Sequence, residues 1–158
     1  MSWSNSYKSR ISSAEQAVLQ IHSGQRVFLT GNSSVPRHIL SALVKYAPQL
    51  SNVEICQPLT IADSSYLAPN LQDHLRVNTL FISPNVRRAV NDGFADFTPV
   101  LLSQLPILVK RQVLPVDVAI LHLSPPDSNG FCSLGLETGL MKTISESAKV
   151  LIAEINPQ

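Results

Sequence analysis

The chain has 158 residues, the size of one domain with a core large enough to fold unaided. Hydrophobic residues make up 44% and charged residues only 15%, which excludes a disordered chain, since disorder needs the opposite balance. Twelve Lys plus Arg stand against eleven Asp plus Glu, for a net charge of +1 with the signs interspersed, so the chain lacks the basic footprint of a nucleic-acid binder.

The opening, MSWSNSYKSR, is polar, with no apolar signal-peptide core behind it. Residues 1–10 are expected to be poorly ordered and residues 11–158 to form the domain. Ser12-x-x-Glu15 has the form of a capping box, followed by Ala14, Val18, Leu19 and Ile21 at helical spacing up to Gly24. RVFLT (26–30) reads as a strand, broken by Gly31-Asn32. Pro36 suits a first helical turn, and Ile39, Leu40, Leu43 and Val44 continue that helix to Pro48.

VEICQ (53–57) and NTLFI (78–82) read as strands, with a loop bearing Ser and Asp between them. Ser83-Pro84 starts a helix over NVRRAV. TPVLL (98–102) is a further apolar run, after which Ser103 caps a helix, QLPILVK, whose length Pro106 limits. VDVAILHL (116–123) has the composition of a strand buried on both faces, as in a parallel sheet. A turn-rich loop, SPPDSNGFCSLG (124–135), leads to a helix, TGLMKTISESAK, and a last strand, VLIAEI (150–155). The chain then ends at Asn156-Pro157-Gln158, where a complete domain would more often cover that strand.

Strands alternating with helices predict an α/β fold, a mostly parallel sheet with helices on both faces. In such sheets ligands bind beyond the carboxyl ends of the strands. Three loops rich in Gly, Pro, Ser and Asn lie there: TGNSSVP (30–36), SPNVR (83–87) and SPPDSNG (124–130).

Each loop has two readings. In TGNSSVP, Gly31 lets backbone amides approach a ligand ahead of a helix, or simply makes a tight turn. The loop is neither a P-loop nor a dinucleotide fingerprint, because the Gly-Lys-Ser/Thr ending and the second and third glycines are absent. In SPNVRR, Arg87 holds an anion or bridges to Asp92 or Asp96. The loop after 123 is a stiff turn or a mount for a site.

Cys132 reads as a buried, inert thiol more readily than as a nucleophile, because no His is tied to it by the sequence. His22, His38, His74 and His122 lack metal-ligand spacing, as do Cys56 and Cys132, so no metal is expected. Ser124 lies outside any G-x-S-x-G elbow. Among the carboxylates only Glu137 lies near a candidate loop. These residues alone give no reaction.

The ordered series GQRVFLTGNSSVP, NVEICQPLT, FISPNVRRAVNDGFADFTPVLLSQLP, LPVDVAILHLSPPDSNGFCSLG and AKVLIAEINPQ resembles the N-terminal domain of the acetyl-CoA hydrolase/transferase family, which includes 4-hydroxybutyrate and acetate CoA-transferases. The resemblance runs from Ile11 to Gln158. It implies a CoA-transferase-like α/β domain that packs against a second, C-terminal domain or subunit. It also implies transfer of coenzyme A between a short acyl-CoA and a free carboxylate, through a glutamyl-CoA intermediate. The catalytic glutamate belongs to the C-terminal half, so the resemblance assigns no catalytic residue here.

By the same resemblance, Gly31, Asn32, Leu59, Thr60, Pro84, Asn85, Ser124, Pro125 and Pro126 face the substrate cleft. Coenzyme A is a substrate, and no tightly bound cofactor is expected. A homo-oligomer in the cytoplasm, without nucleic acid or membrane as partner, completes the expectation. The alternatives are an acyl-CoA hydrolase half, with water as acceptor, and a stand-alone binding domain without catalysis.

Overall fold

The computed structural model describes residues 3–157. Six strands, β1 (Arg26–Leu29), β2 (Val53–Gln57), β3 (Leu75–Thr79), β4 (Ala95–Phe97), β5 (Val118–Leu123) and β6 (Val150–Ile155), form one sheet in the order β4-β3-β2-β1-β5-β6. Every pairing is parallel. The chain starts in the middle of the sheet, steps outward from β1 to β4, and returns to lay β5 on the other side of β1. The direction of winding therefore reverses between β1 and β5.

Parallel strands need crossovers, and these bury both faces of the sheet. On one face Val27, Leu29, Val53, Ile55, Val77, Val118 and Ile120 pack with side chains from α2 (Ala14–Val18), α3 (Arg37–Tyr46) and α4 (Pro84–Asn91). On the other, Phe28, Cys56, Ala119 and Leu121 meet α5 (Leu105–Lys110) and α6 (Met141–Ser147). Val118 to Leu121 are all buried, as expected of the most apolar strand. The α/β architecture with helices on both faces is thus present.

Several local expectations are corrected. Trp3–Lys8 forms a short helix, α1; residues 1 and 2 lie outside the described residues. The capping box uses Ser13 and Gln16, not Ser12 and Glu15. Both pairs have suitable side chains; the frame adopted is the one that buries Val18, while Leu19 is exposed and Gly24 lies beyond the helix in a turn at φ +78°.

Strand β3 runs over 75–79 and not 78–82: it ends where Thr79 pairs with Gln57, and the Thr79 hydroxyl then donates to the Phe81 carbonyl in a turn. The short strand β4 precedes the TPVLL run, which is not a strand. Pro36 precedes α3, whose first amides are capped from a distance: the Glu154 carboxylate on β6 accepts from the backbone N–H groups of His38 and Ile39 at 3.0 and 3.1 Å. Pro106 sits in the first turn of α5, where its missing N–H costs nothing.

The charged groups at the amino ends of the strands are paired. Arg26 bonds Glu54 at 2.7 Å, and Glu54 also accepts from the Asn78 amide at 2.9 Å. Asp117 accepts from Lys149 Nζ at 2.7 Å and from the Arg26 backbone N–H at 2.9 Å. The lysine first, then the backbone donor, hold the Asp117 carboxyl below its ordinary range. A carboxylate whose folded-state pKa is depressed adds stability that is present in full above about pH 4 and lost as pH falls through the folded-state value. We therefore expect denaturant midpoints of wild type to fall more steeply than those of Asp117→Asn between about pH 5 and pH 2. Parallel pH profiles would remove Asp117 from this role.

Candidate functional site at the carboxyl ends of the strands

Because all six strands point the same way, the loops after β1, β2, β3 and β5 emerge along one edge of the sheet. The order of winding reverses between β1 and β5, the kind of point at which such folds place ligands. Thr30, just past β1, spans this point: its backbone N–H and its hydroxyl both donate to the Ile120 carbonyl, at 3.1 and 2.8 Å.

Gly31 and Asn32 lie against Leu59 and Thr60. The Asn32 backbone N–H donates to the Leu59 carbonyl at 2.6 Å, and Asn32 forms a parallel bridge with Thr60. Asn32 adopts φ 51°, a left-handed conformation that Asn tolerates better than most residues. Gly31 is required by space: a Cβ there would lie 2.2 Å from the Leu59 carbonyl oxygen and 2.8 Å from Pro58 Cγ. Across the β1–β5 junction, the Asn32 side-chain amide donates to the Glu137 carboxylate.

Pro84 is the first residue of α4, and Asn85 follows it. The Asn85 side-chain amide reaches the Ala62 carbonyl and the Tyr66 hydroxyl, both at 3.4 Å, while the Ser64 hydroxyl donates to its backbone carbonyl at 3.3 Å. Gly31, Asn32, Leu59, Thr60 and Asn85 are thus joined through the loop after β2.

Ser124, Pro125 and Pro126 do not share those bonds. Their loop closes on itself: the Ser124 backbone N–H donates to the Ser133 carbonyl at 3.1 Å, the Ser133 backbone N–H to the Ser124 hydroxyl at 2.8 Å, and Asp127 accepts from the backbone of Asn129 and Phe131. The indole of Trp3 lies against Gly130, where a Cβ would come within 3.0 Å of the ring.

Arg87 is exposed and makes no ion pair among the described residues; Asp92 and Asp96 pair with Arg88 and Arg76 instead. Cys132, expected to be buried, is exposed, and the buried thiol is Cys56. Burial first, then the neighbouring Glu54 charge, push the Cys56 thiol up to about 12, so it stays protonated and unreactive. Among the described residues no group of three or more His, Cys, Asp and Glu is placed to hold a metal.

Two residues of this edge went unremarked in the sequence, Gln57 and Tyr66, both fully buried. A Gln closing an apolar strand was the available signal. Neither amide atom of Gln57 has a hydrogen-bond partner, a state that costs about 1–3 kcal/mol for a buried polar group. The same edge carries exposed apolar side chains in successive loops: Ile61 after β2, Phe81 after β3, Phe97 and Leu101 at and after β4, Phe131 and Leu136 after β5.

The acetyl-CoA hydrolase/transferase N-terminal domain model matches residues 1–158. The chain belongs to this family. It is 38% identical over 156 residues to the 4-hydroxybutyrate coenzyme A transferase of Clostridium kluyveri, covering 99% of the chain and 36% of that protein. It is 31% identical over 137 residues to a succinyl-CoA:acetate/propanoyl-CoA:succinate CoA transferase of Fasciola hepatica, covering 85% and 28%.

Among solved structures, this family domain superposes on a 4-hydroxybutyrate CoA-transferase from Porphyromonas gingivalis with a TM-score of 0.80 at 26% identity, over 99% of this chain and 36% of the other. RipA from Yersinia pestis shares the fold at a TM-score of 0.88 and 24% identity, over 99% and 38%. The chain therefore spans between 28% and 38% of the length of these proteins. No described helix is long and apolar enough to cross a membrane.

The Gly31–Leu59 approach makes a direct prediction. Gly31→Ala must push the two loops apart and is expected to cost about 1–3 kcal/mol, as overpacking does. Gly139→Ala, at a position with nothing within 4 Å of the new Cβ, should change stability by less than about 0.5 kcal/mol. Urea denaturation of both variants checks the contrast.

Proposed function

We propose that this chain forms one wall of a coenzyme A transfer site, with a C-terminal CoA-transferase domain or subunit supplying the other wall and the nucleophilic glutamate. The observation that carries this reading is the match of 99% of the chain, at 38% identity, to 36% of a 4-hydroxybutyrate coenzyme A transferase. Exposed apolar side chains in the loops that leave the same edge of the sheet support it, since apolar surface at a site edge suits a covering domain.

In this reading a glutamate carboxylate attacks the acyl-CoA carbonyl and expels the CoA thiolate, leaving a mixed anhydride. The thiolate attacks the glutamyl carbonyl, breaks the anhydride and releases the first acid as its carboxylate. A second carboxylate then attacks the glutamyl-CoA thioester, again freeing the thiolate. The thiolate takes the new acyl group from the second anhydride and regenerates the glutamate carboxylate. The proton count is unchanged throughout, as covalent catalysis by a carboxylate requires.

This chain's part is to position the acyl group and to exclude water, through Gly31, Asn32, Leu59, Thr60, Pro84, Asn85 and the Ser124-Pro125-Pro126 loop. Coenzyme A enters as substrate, short carboxylates are the donors and acceptors, and the working enzyme is a cytoplasmic homo-oligomer. The family also includes hydrolases, for which water replaces the second acid.

The test is CoA exchange between acetyl-CoA and a short carboxylate. The chain alone is expected to give no exchange above buffer. Addition of the C-terminal portion of a 4-hydroxybutyrate CoA-transferase is expected to give exchange with ping-pong kinetics. Turnover by the chain alone overturns the division of labour. Free thiol released without any acid acceptor selects the hydrolase, and a soluble chain that gives no turnover with the added portion favours a stand-alone binding domain.

A further inference from the structure

β6 stands last in the order of the sheet, so one of its long sides has no strand beside it. Its rungs to β5 begin with the Val150 N–H on the Asp117 carbonyl at 3.0 Å and end with the Asn156 N–H on the Leu123 carbonyl at 2.9 Å. The alternation between them turns the backbone N–H and C=O groups of Leu151, Ala153 and Ile155 outward, and no described segment bonds to these groups. Val150 and Ile152 pack into the core that α2 and α3 share, so the side chains of Leu151, Ala153 and Ile155 lie on the opposite face. None of the three belongs to the core covered by α5 and α6 on that face, and Leu151 is 53% exposed. A groove of about 580 Å³ runs along the same side, between β6 and the segment from Tyr7 to Gln20. A free backbone edge, a bare apolar face and a groove thus coincide on one strand.

We propose that the outer side of β6 takes up one further strand, supplied by the C-terminal portion that the longer proteins of the family carry. The proposal rests on the CoA-transfer reading for the presence of that portion, and it adds a contact along the side of the sheet to the one at the carboxyl-end loops. An open edge is a template for pairing with another chain, and edges are ordinarily blunted by charge or proline. Residues 150–153 carry neither, and the Glu154 carboxylate is turned back to cap α3. An extended segment answers each outward N–H and C=O group with a backbone partner and lays its own alternate side chains beside Leu151, Ala153 and Ile155. The occupant is the C-terminal portion because this chain, matched by an N-terminal domain model, covers only 36% of its 38%-identical relative. Pro157, without an N–H, ends the ladder with β5 where Ile155 lines the groove, so in a longer relative the polypeptide continues beside the free edge. Arg10 also lines the groove, makes no ion pair among the described residues, and suits an acidic side chain on the incoming strand.

The test compares the 158-residue protein with the same chain continued into the C-terminal portion of the Clostridium kluyveri transferase, by amide hydrogen exchange read residue by residue. In the shorter protein the Leu151, Ala153 and Ile155 amides are expected to exchange about 100-fold faster than those of Ile152 and Glu154, which bond to β5. In the continued chain the same three amides are expected to slow by about 100-fold. Ala153→Pro removes the central outward N–H without touching a rung to β5, and Leu151→Lys puts a charge on the free side. In the continued chain each variant is expected to return the Ile155 amide to within about threefold of its rate in the shorter protein. No slowing on continuation, or slowing retained in both variants, overturns the proposal. Slowing that grows with the concentration of the shorter protein alone gives the edge to a second copy and overturns it equally. If Ala153→Pro does not fold, Leu151→Lys, at an exposed position, decides; if the continued chain does not fold, the separate C-terminal portion is titrated onto the shorter protein with the same readout.

CoA exchange by the same preparations tests the parent reading separately. Exchange with the β6 amides unprotected removes the added strand and leaves the reading; protected amides without exchange remove the reading and leave the strand.

Discussion

The constraint on which the rest depends is the common direction of six strands. Parallel pairing forbids hairpins, so each crossover must climb back over a face of the sheet. The two faces are buried by the helices that make those returns, and the strands between them are free to be apolar throughout. The same direction also gathers every loop that leaves a strand on one edge. That edge collects buried hydroxyls, one unsatisfied amide and a row of exposed apolar side chains, while the paired charges Arg26–Glu54 and Asp117–Lys149 lie toward the amino ends. The polarity of the domain is a consequence of topology.

Within that edge, contact between loops matters more than any single residue. Gly31 allows the turn after β1 to touch the loop after β2, and the Asn32 N–H then fixes the two at 2.6 Å. From Leu59 onward the loop after β2 reaches Asn85 on α4, and the Asn32 side chain reaches Glu137 beyond β5. Four strand ends are thereby coupled through hydrogen bonds, although their residues are more than a hundred positions apart in the extreme case. Under the proposed function, loops coupled in this way would hold an acyl group in a fixed place.

The low charge fraction acquires a location. Ile61, Phe81, Leu101, Leu102, Phe131 and Leu136 are each more than half exposed, and all lie in segments that leave the carboxyl ends of strands. Charged residues at only 15% leave little material to coat a solvated surface. Placement by the fold puts much of the exposed apolar surface in the loops of the candidate site's edge, with Ile11, Ile107, Val113 and Leu151 exposed elsewhere.

Period and composition made much of the fold legible: the strands at 53–57 and 150–155, the buried strand ending at 123, the helices after Pro36 and Ser83, and the α/β class. These are short-range signals, carried by residues that must be apolar because of where their neighbours point. The family resemblance, not local composition, marked Gly31, Asn32, Leu59, Thr60 and Asn85, which the fold brings together. What the sequence left open was decided by contacts between distant segments. Whether Ser12 or Ser13 caps α2 depends on which frame buries Val18, and the end of β3 depends on its register with β2. Glu154 caps a helix more than a hundred residues away, and Cys132 is exposed where local composition suggested burial. Gln57 and Tyr66 are ordinary residues in the sequence; only tertiary packing seals them together and leaves an amide unbonded, because burial is a property of what surrounds a side chain and not of the side chain itself.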